Sequence, residues 1–228
     1  MFRRFGFVFL AALFAAAPVA AQDERPVRLN IGGGFTGVYG DGADHIGNGG
    51  NFTIGAIFKV SPVMSVQGEY GWNGLKRKEL ASVNPLSSNG PFFADANMQY
   101  GDANLLFHSG SQAKVKPYGL VGLGVYYRPV TISTDAVGFA TVCDPYWYVC
   151  YPTAVPVEQI VGSRSSTDFG MNFGGGVDYK LTDAASIYFE VRYHYIWGPE
   201  IATVNPLSSG GPTKANGQFL PITVGFRF

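Results

Sequence analysis

The amino-acid sequence predicts an all-β protein, an eight-stranded antiparallel β-barrel that crosses a membrane. Three observations carry this prediction: a strand pattern in the last nine residues, eight segments with the same pattern along the chain, and connections that are alternately short and long. A tilted strand needs about ten residues to cross a bilayer, with apolar side chains facing lipid at every second position.

The carboxyl-terminal strand carries the clearest pattern. From Leu220 to Phe228 every second residue is large and apolar, and the residues between them are Pro, Thr, Gly and Arg. Such alternation gives a strand one apolar face and one polar or small face. Phe226 and Phe228 also resemble the terminal assembly signal of bacterial outer-membrane proteins, which implies contact with the outer-membrane assembly machinery.

Residues 1–21 are predicted to be a secretory signal peptide. Arg3 and Arg4 precede an apolar run over 5–17, and small residues up to Ala21 provide a cleavage site. The run is too short to span a bilayer comfortably, and Pro18 interrupts its end. Cleavage leaves residues 22–228 as one β-barrel domain, secreted and located in the outer membrane of a Gram-negative bacterium.

Composition narrows the class of protein. Without the two arginines of the signal peptide the chain has 14 basic and 16 acidic residues, a net charge of about −2. This charge excludes a strong nucleic-acid-binding surface. The 31 glycines and the aromatic content of 15% fit neither a helical nor a disordered protein. Both are typical of closely spaced strands with aromatic girdles at the membrane surfaces.

Eight alternating segments are separated by polar, Gly-rich and Pro-rich connections. Short connections after the second, fourth and sixth segments are expected to face the periplasm, and the four longer ones to face outward. The predicted long loops are 41–50, 76–95, 129–166 and 198–216. The predicted strands are 27–40, 51–60, 63–75, 96–108, 115–128, 167–180, 184–197 and 217–228.

The parity of these strands places charged residues inside the barrel. Isolated charges are costly to bury, so a narrow lumen requires balanced pairs. A structural ion-pair network is the favoured interpretation, and a small polar conduit gated by the pairs is the alternative. The predicted inward set, with Asp168 as a further acid, is Arg28, Lys59, Glu69, Asp102, Arg128, Asp178, Glu190, Arg192 and Arg227.

The longest predicted loop contains both cysteines of the chain. Cys143 and Cys150 lie seven positions apart in an oxidising compartment, which predicts a disulfide. Metal binding is the weaker alternative, because two sulfurs without a nearby His form an incomplete site. Four aromatic residues in this loop predict contact with a protein, a glycan or lipopolysaccharide, or else packing on the barrel rim. They are Tyr146, Trp147, Tyr148 and Tyr151.

A nine-residue segment, 83–91, is nearly repeated as 204–212. Asn-Pro followed by Ser-Ser and Gly is typical of turns. The repeat predicts two similarly folded outer loops. A paired contact feature is the functional alternative to a purely structural loop fold.

The sequence offers no recognisable catalytic constellation. Glu190 and His194 share a strand face, but four strand residues separate them by roughly 13 Å, too far for a hydrogen bond. We therefore predict no enzyme, no metal site and no cofactor.

Two segments, 117–124 and 172–182, resemble the small OmpA-like and OmpX-like outer-membrane barrels. The resemblance implies the same eight-stranded fold. It also implies a role among those of the group, which include membrane anchors, adhesins, serum-resistance factors and small channels. We predict a structural or cell-surface interaction role, carried by the long outer loops and in contact with outer-membrane lipid and lipopolysaccharide. A small-solute, porin-like channel is the alternative.

Overall fold

The computed structural model describes residues 26–80, 92–109, 113–182, 184–201 and 213–228. The predicted signal peptide and both copies of the repeated segment lie outside the described residues. Among the described residues, no helix has the length and apolarity needed to cross a membrane.

Eight long antiparallel strands form a sheet that closes on itself, as the sequence predicts. Each long strand pairs with the next in the chain, and the last pairs with the first. Three short strands, β4 (Lys78–Leu80), β9 (Glu200–Ile201) and β10 (Thr213–Lys214), and a 3-10 helix, Gly40–Asp44, occupy the outer connections. The barrel strands are β1 (Val27–Tyr39), β2 (Gly47–Lys59), β3 (Met64–Lys76), β5 (Phe92–His108), β6 (Val115–Cys143), β7 (Cys150–Lys180), β8 (Ser186–Ile196) and β11 (Gly217–Arg227).

The seam between β1 and β11 closes the barrel. Ten residue pairs run in constant register from Asn30 and Arg227 to Tyr39 and Gln218. Beyond them, the backbone N–H of Leu29 donates to the carbonyl of Phe228 over 2.8 Å, and the reverse bond is 2.9 Å long. Hydrocarbon offers no partner to a free N–H or C=O group, so this seam removes the last open sheet edge.

The barrel surface is the inverse of a soluble protein's surface. On β11, Ile222, Val224 and Phe226 point outward and are 37%, 51% and 54% exposed. Arg227, between two of the outward phenylalanines, points inward and is 0% exposed. Apolar side chains outside and charges inside are what a lipid environment requires.

The predicted loop 129–166 is wrong as a loop, because β6 and β7 continue through it as a two-stranded hairpin. The two strands are 29 and 31 residues long and pair as far as Cys143 and Cys150. Fourteen residues beyond Pro129 extend the ribbon by about 45 Å. Pro152 and Pro156 lie within this ribbon, opposite Thr141 and Val137. Each strand of a two-stranded ribbon has one free edge. Proline is tolerated at that edge, because its missing N–H breaks no hydrogen bond of the ladder.

Pro221 lies in β11, where a residue without an N–H requires either a bulge or a frayed position, because a closed barrel has no free edge. Pairing with β8 stops at Phe219 and resumes at Ile222 in the same register. Pro221 is still paired on its other side, with Thr36 of β1. The missing proline donor is therefore accommodated by a local gap in one ladder rather than by an inserted residue.

Arg77 fastens the base of the hairpin to the barrel rim. Its guanidinium lies 3.2 Å from Asp135 and 3.6 Å from Glu158, on the two arms of the hairpin, and 3.8 Å from Asp95 of β5. It also lies over the ring of Phe93, 3.9 Å from the centroid. Exposed pairs contribute about 0–1 kcal/mol each, so several contacts together are needed to orient the arm.

Gly71 of β3 leaves room for a buried ring, and we expect Gly71→Ala to destabilise the barrel. An added Cβ would lie 2.1 Å from the Tyr100 ring, which is itself packed against Tyr126 and His194. Overpacking of this kind costs about 1–3 kcal/mol. Urea unfolding in lipid vesicles, followed by tryptophan fluorescence, measures the loss. Gly68→Ala on the same strand is the matched control, because its Cβ meets nothing within 4 Å. Equal effects of the two substitutions would contradict this packing.

Candidate functional site

Arg192 of β8 lies at the centre of the lumen, bound by three carboxylates. Its Nε and Nη2 donate to Glu190 over 3.0 and 2.5 Å. Its Nη1 lies 2.9 Å from Asp102 and 3.0 Å from Glu69, on the opposite wall. Alternation along β8 puts Glu190 and Arg192 on the same inward face. These contacts therefore cross-brace β3, β5 and β8.

A second buried arginine, Arg227, joins this cluster from the periplasmic side. Its Nη1 donates to both oxygens of Asp178 over 2.7 Å. Its Nη2 lies 3.4 Å from Glu190 and donates to the Tyr118 hydroxyl over 2.8 Å. The guanidinium is held between the rings of Tyr118 and Tyr188, 4.5 and 4.4 Å from their centroids. Glu190 thus bridges the two arginines.

Neutral side chains donate further hydrogen bonds to the carboxylates of this central cluster. Asn30 and Gln67 donate to Glu69 over 3.0 and 2.9 Å. Asn104 and Asn172 donate to Asp102 over 2.9 and 3.1 Å. The cluster has four carboxylates and two guanidiniums, so amide and phenol groups supply contacts that cations do not.

The predicted inward charges do not form one network. Arg128 pairs with Asp168 at the outer mouth, over 2.5 Å, away from the central cluster. Arg28 donates to the Ser186 hydroxyl over 2.5 Å, and Lys59 is exposed at the periplasmic end of β2. Parity gave the face of each side chain but not its depth in the barrel, and depth decides which charges meet.

An aromatic layer covers the outer side of the charged cluster. The Tyr126 hydroxyl lies 2.8 Å from Nδ1 of His194, and the Tyr100 ring lies 4.9 Å from the His194 ring. All three residues are almost fully buried. Their inward parity was visible in the sequence, but their packing across the barrel depends on the stagger of the strands.

Outside the aromatic layer the lumen is apolar, which the sequence did not predict. Most of the predicted charged inward positions lie at the centre, and at the mouth the Arg128–Asp168 pair is set among apolar side chains. Ile46 and Val130 pack against the edge of this apolar lining. The buried apolar side chains at this end are Val38, Leu75, Ala96, Met98, Ile196 and Phe219.

The far end of the hairpin forms what we call the aromatic tip, residues 143–151. Cys143 and Cys150 are paired in register and joined by a disulfide. The Asp144 side chain accepts backbone N–H bonds from Tyr146 and Trp147 over 2.8 and 3.1 Å. The aromatic side chains Tyr146, Trp147, Tyr148 and Tyr151 are 86%, 78%, 89% and 49% exposed.

No group of three or more acidic, His or Cys side chains arranged to hold a metal ion occurs among the described residues. Both cysteines of the chain are used in the disulfide.

The closed barrel, its apolar outer belt and its charged interior define an integral protein of the bacterial outer membrane. The family model described as "Outer membrane protein beta-barrel domain" matches residues 7–228. The chain belongs to this family.

Two solved structures show the same fold. Neisserial surface protein A (NspA) is 14% identical, with a TM-score of 0.53, and the match covers 89% of this chain and 96% of that chain. A major outer membrane protein from Thermus thermophilus is 14% identical, with a TM-score of 0.52 and coverage of 90% and 99%. No curated protein sequence matches the chain.

Because Glu190 bridges two buried arginines, we expect Glu190→Gln to destabilise the barrel strongly. Each arginine keeps another carboxylate, Asp102 and Glu69 for Arg192 and Asp178 for Arg227, so the loss is that of the hydrogen bonds to the Glu190 carboxylate. Buried hydrogen bonds to a charged group contribute about 1.5–3 kcal/mol each. Urea unfolding in lipid vesicles measures this change. Glu200→Gln is the control, because the Glu200 side chain is 61% exposed and 3.6 Å from Lys214. We expect it to cost less than about 1 kcal/mol. A Glu190→Gln barrel as stable as this control would contradict the bridging role.

Proposed function

We propose that the protein makes cell-surface contacts through the aromatic tip of the β6–β7 hairpin, with an extracellular protein as partner. The observation that carries this proposal is the exposure of Tyr146, Trp147 and Tyr148, each at least 78% accessible. Tyr and Trp are the residues that most often dominate the binding energy of protein interfaces.

The tip is preorganised for binding. The disulfide closes its base, and the Asp144 carboxylate and carbonyl hold the turn, the latter accepting the Tyr148 N–H over 3.1 Å. Association ordinarily costs about 0.5–1.5 kcal/mol for each long side chain that must be ordered. A rigid turn that presents stiff aromatic rings lowers this cost.

The backbone conformation of Tyr148 supports a binding role for its ring. Its φ is +54°, and it is the sole non-glycine residue with positive φ in the described part of the chain. This conformation costs an ordinary residue roughly 1–2 kcal/mol, and Gly or Asn would adopt it more readily. A bulky side chain at such a position favours a functional reason for it.

The length of the hairpin supports a partner beyond the protein's own membrane. About 45 Å of ribbon separates the tip from the barrel mouth. The attachment of Arg77 to both arms and to β5 orients the hairpin at its base. A tip at this distance suits contact with another surface better than packing on the rim.

The packed lumen favours this role over a small-solute channel. Arg192, Arg227 and their carboxylates fill the centre of the barrel, and the aromatic layer of Tyr100, Tyr126 and His194 covers them. Eight-stranded barrels are just wide enough for their side chains to fill the interior. The absence of a catalytic site and of a cofactor stays a prediction.

We expect replacement of the tip aromatics by serine to abolish binding to an extracellular protein partner. The triple variant Tyr146→Ser, Trp147→Ser, Tyr148→Ser, displayed on a Gram-negative host, is assayed on arrays of extracellular proteins and of glycans. Loss of anchor residues worth about 2 kcal/mol each lowers affinity more than tenfold. A preference for the glycan array would keep the tip as the site but change the partner class.

Val137→Ser with Phe139→Ser is the matched control. Both residues are exposed, at 73% and 84%, on one arm of the same hairpin. We expect this control to bind within about twofold of the unaltered protein, because surface residues away from an anchor contribute little. Equal binding by the triple variant and the control would overturn the proposal.

A further inference from the structure

The outer mouth of the barrel holds a cavity of about 280 Å³. Most of its wall is apolar, with Leu75 contributed by β3, Ala96 and Met98 by β5, and Phe219 by β11. Pockets for drug-sized ligands have volumes of roughly 300–1,000 Å³. This cavity is close to the lower end of that range, so it fits one slender ligand.

The depth of the cavity is fixed by the layers of the lumen. Met98 and Phe219 belong to the apolar cluster that ends at Tyr100 and Tyr126. The charged centre of the barrel lies directly beyond that aromatic layer. An apolar ligand can therefore enter from outside but has no favourable position farther down, because the next side chains are ion-paired.

The charged side chains that line the cavity are positive, and they differ in whether a carboxylate pairs with them. Two arginines line it, Arg128 and Arg164. Arg128 is held by Asp168 over 2.5 Å and donates to the carbonyl of Ala215 over 3.2 Å. Arg164 is paired in register with Val130, at the rim, and no described carboxylate lies within ion-pair distance of it. One guanidinium is thus left to meet an external anion.

We propose that this mouth cavity binds a single-chain amphipathic anion, a free fatty acid taken from outside the cell. The methylene chain lies against Leu75, Ala96 and Met98, and the carboxylate meets Arg164. A guanidinium suits a carboxylate because its donors match the two oxygens. A phospholipid with two chains would exceed the volume, and a cation would be repelled by the rim.

Photoaffinity labelling tests the site. The protein, reconstituted in phosphatidylcholine vesicles, is irradiated with a diazirine analogue of decanoate, and the labelled residues are mapped by mass spectrometry. We expect labels on the mouth segments of β5 and β6 around Met98 and Val130, competed by unlabelled decanoate. The neutral diazirine analogue of decanol is the matched probe.

Two kinds of variant separate the apolar wall from the charge. Ala96→Phe fills the cavity, and we expect mouth labelling to fall at least tenfold. Arg164→Gln removes the cation, and we expect a loss of about two- to fivefold for the decanoate probe, as for a partly exposed ion pair. Arg164→Lys should retain labelling, and the decanol probe should respond to Ala96→Phe but not to Arg164→Gln.

The controls make each outcome decisive. Folding of every variant is checked by the heat-dependent mobility of the barrel in detergent gels. If Ala96→Phe does not fold, the comparison of Arg164→Gln with Arg164→Lys tests the proposal. Labels confined to the lipid-facing residues Val121, Leu123 and Val125, and unchanged by these variants, would overturn the proposal. The aromatic-tip variants should leave mouth labelling unaltered, because the two sites are separate.

Discussion

The structure depends on one constraint, that hydrocarbon supplies no hydrogen-bond partner for a polar group. The backbone meets it by closing the sheet between β1 and β11, where Leu29 and Phe228 exchange two hydrogen bonds beyond the last paired strand residues. With eight strands closure leaves a narrow interior, and every inward polar side chain must find its partners there. The central cluster around Arg192 and Arg227 is the result.

That cluster also bears on the two binding sites that we propose. Glu190 connects both arginines, and together with Glu69, Asp102 and Asp178 it ties five of the eight strands across the lumen. With the centre filled in this way, two regions on the outer side of the described part of the chain stay accessible. One is the apolar mouth with Arg164 at its rim, and the other is the hairpin that carries the aromatic tip. Binding at either requires no passage through the barrel.

Much of this arrangement could be predicted from the sequence, because the side-chain period of a strand is two. The eight strands, the inward face of Arg192 and Glu190, and the pairing of Cys143 with Cys150 are all local consequences of alternation and spacing. Partners across the lumen could not be predicted. They depend on the stagger of strands that are distant in sequence, which is why Arg128 was placed with the central charges rather than with Asp168 at the mouth.

Two further features were missed for physical reasons. The β6–β7 hairpin lies in the segment 129–166, which was predicted to be a loop, although a two-stranded ribbon tolerates proline at its free edges. The apolar mouth was missed because Leu75 and Met98 share the inward parity of the central charges, and parity says nothing about depth.

Single-channel conductance of the refolded protein in a planar bilayer tests the central claim, that the packed centre seals the lumen. We predict that the unaltered protein, in samples whose folding is verified in parallel, leaves the bilayer silent. Discrete openings that change with Glu69→Gln or Glu190→Gln would contradict it, because the buried pairs would then line a conducting path.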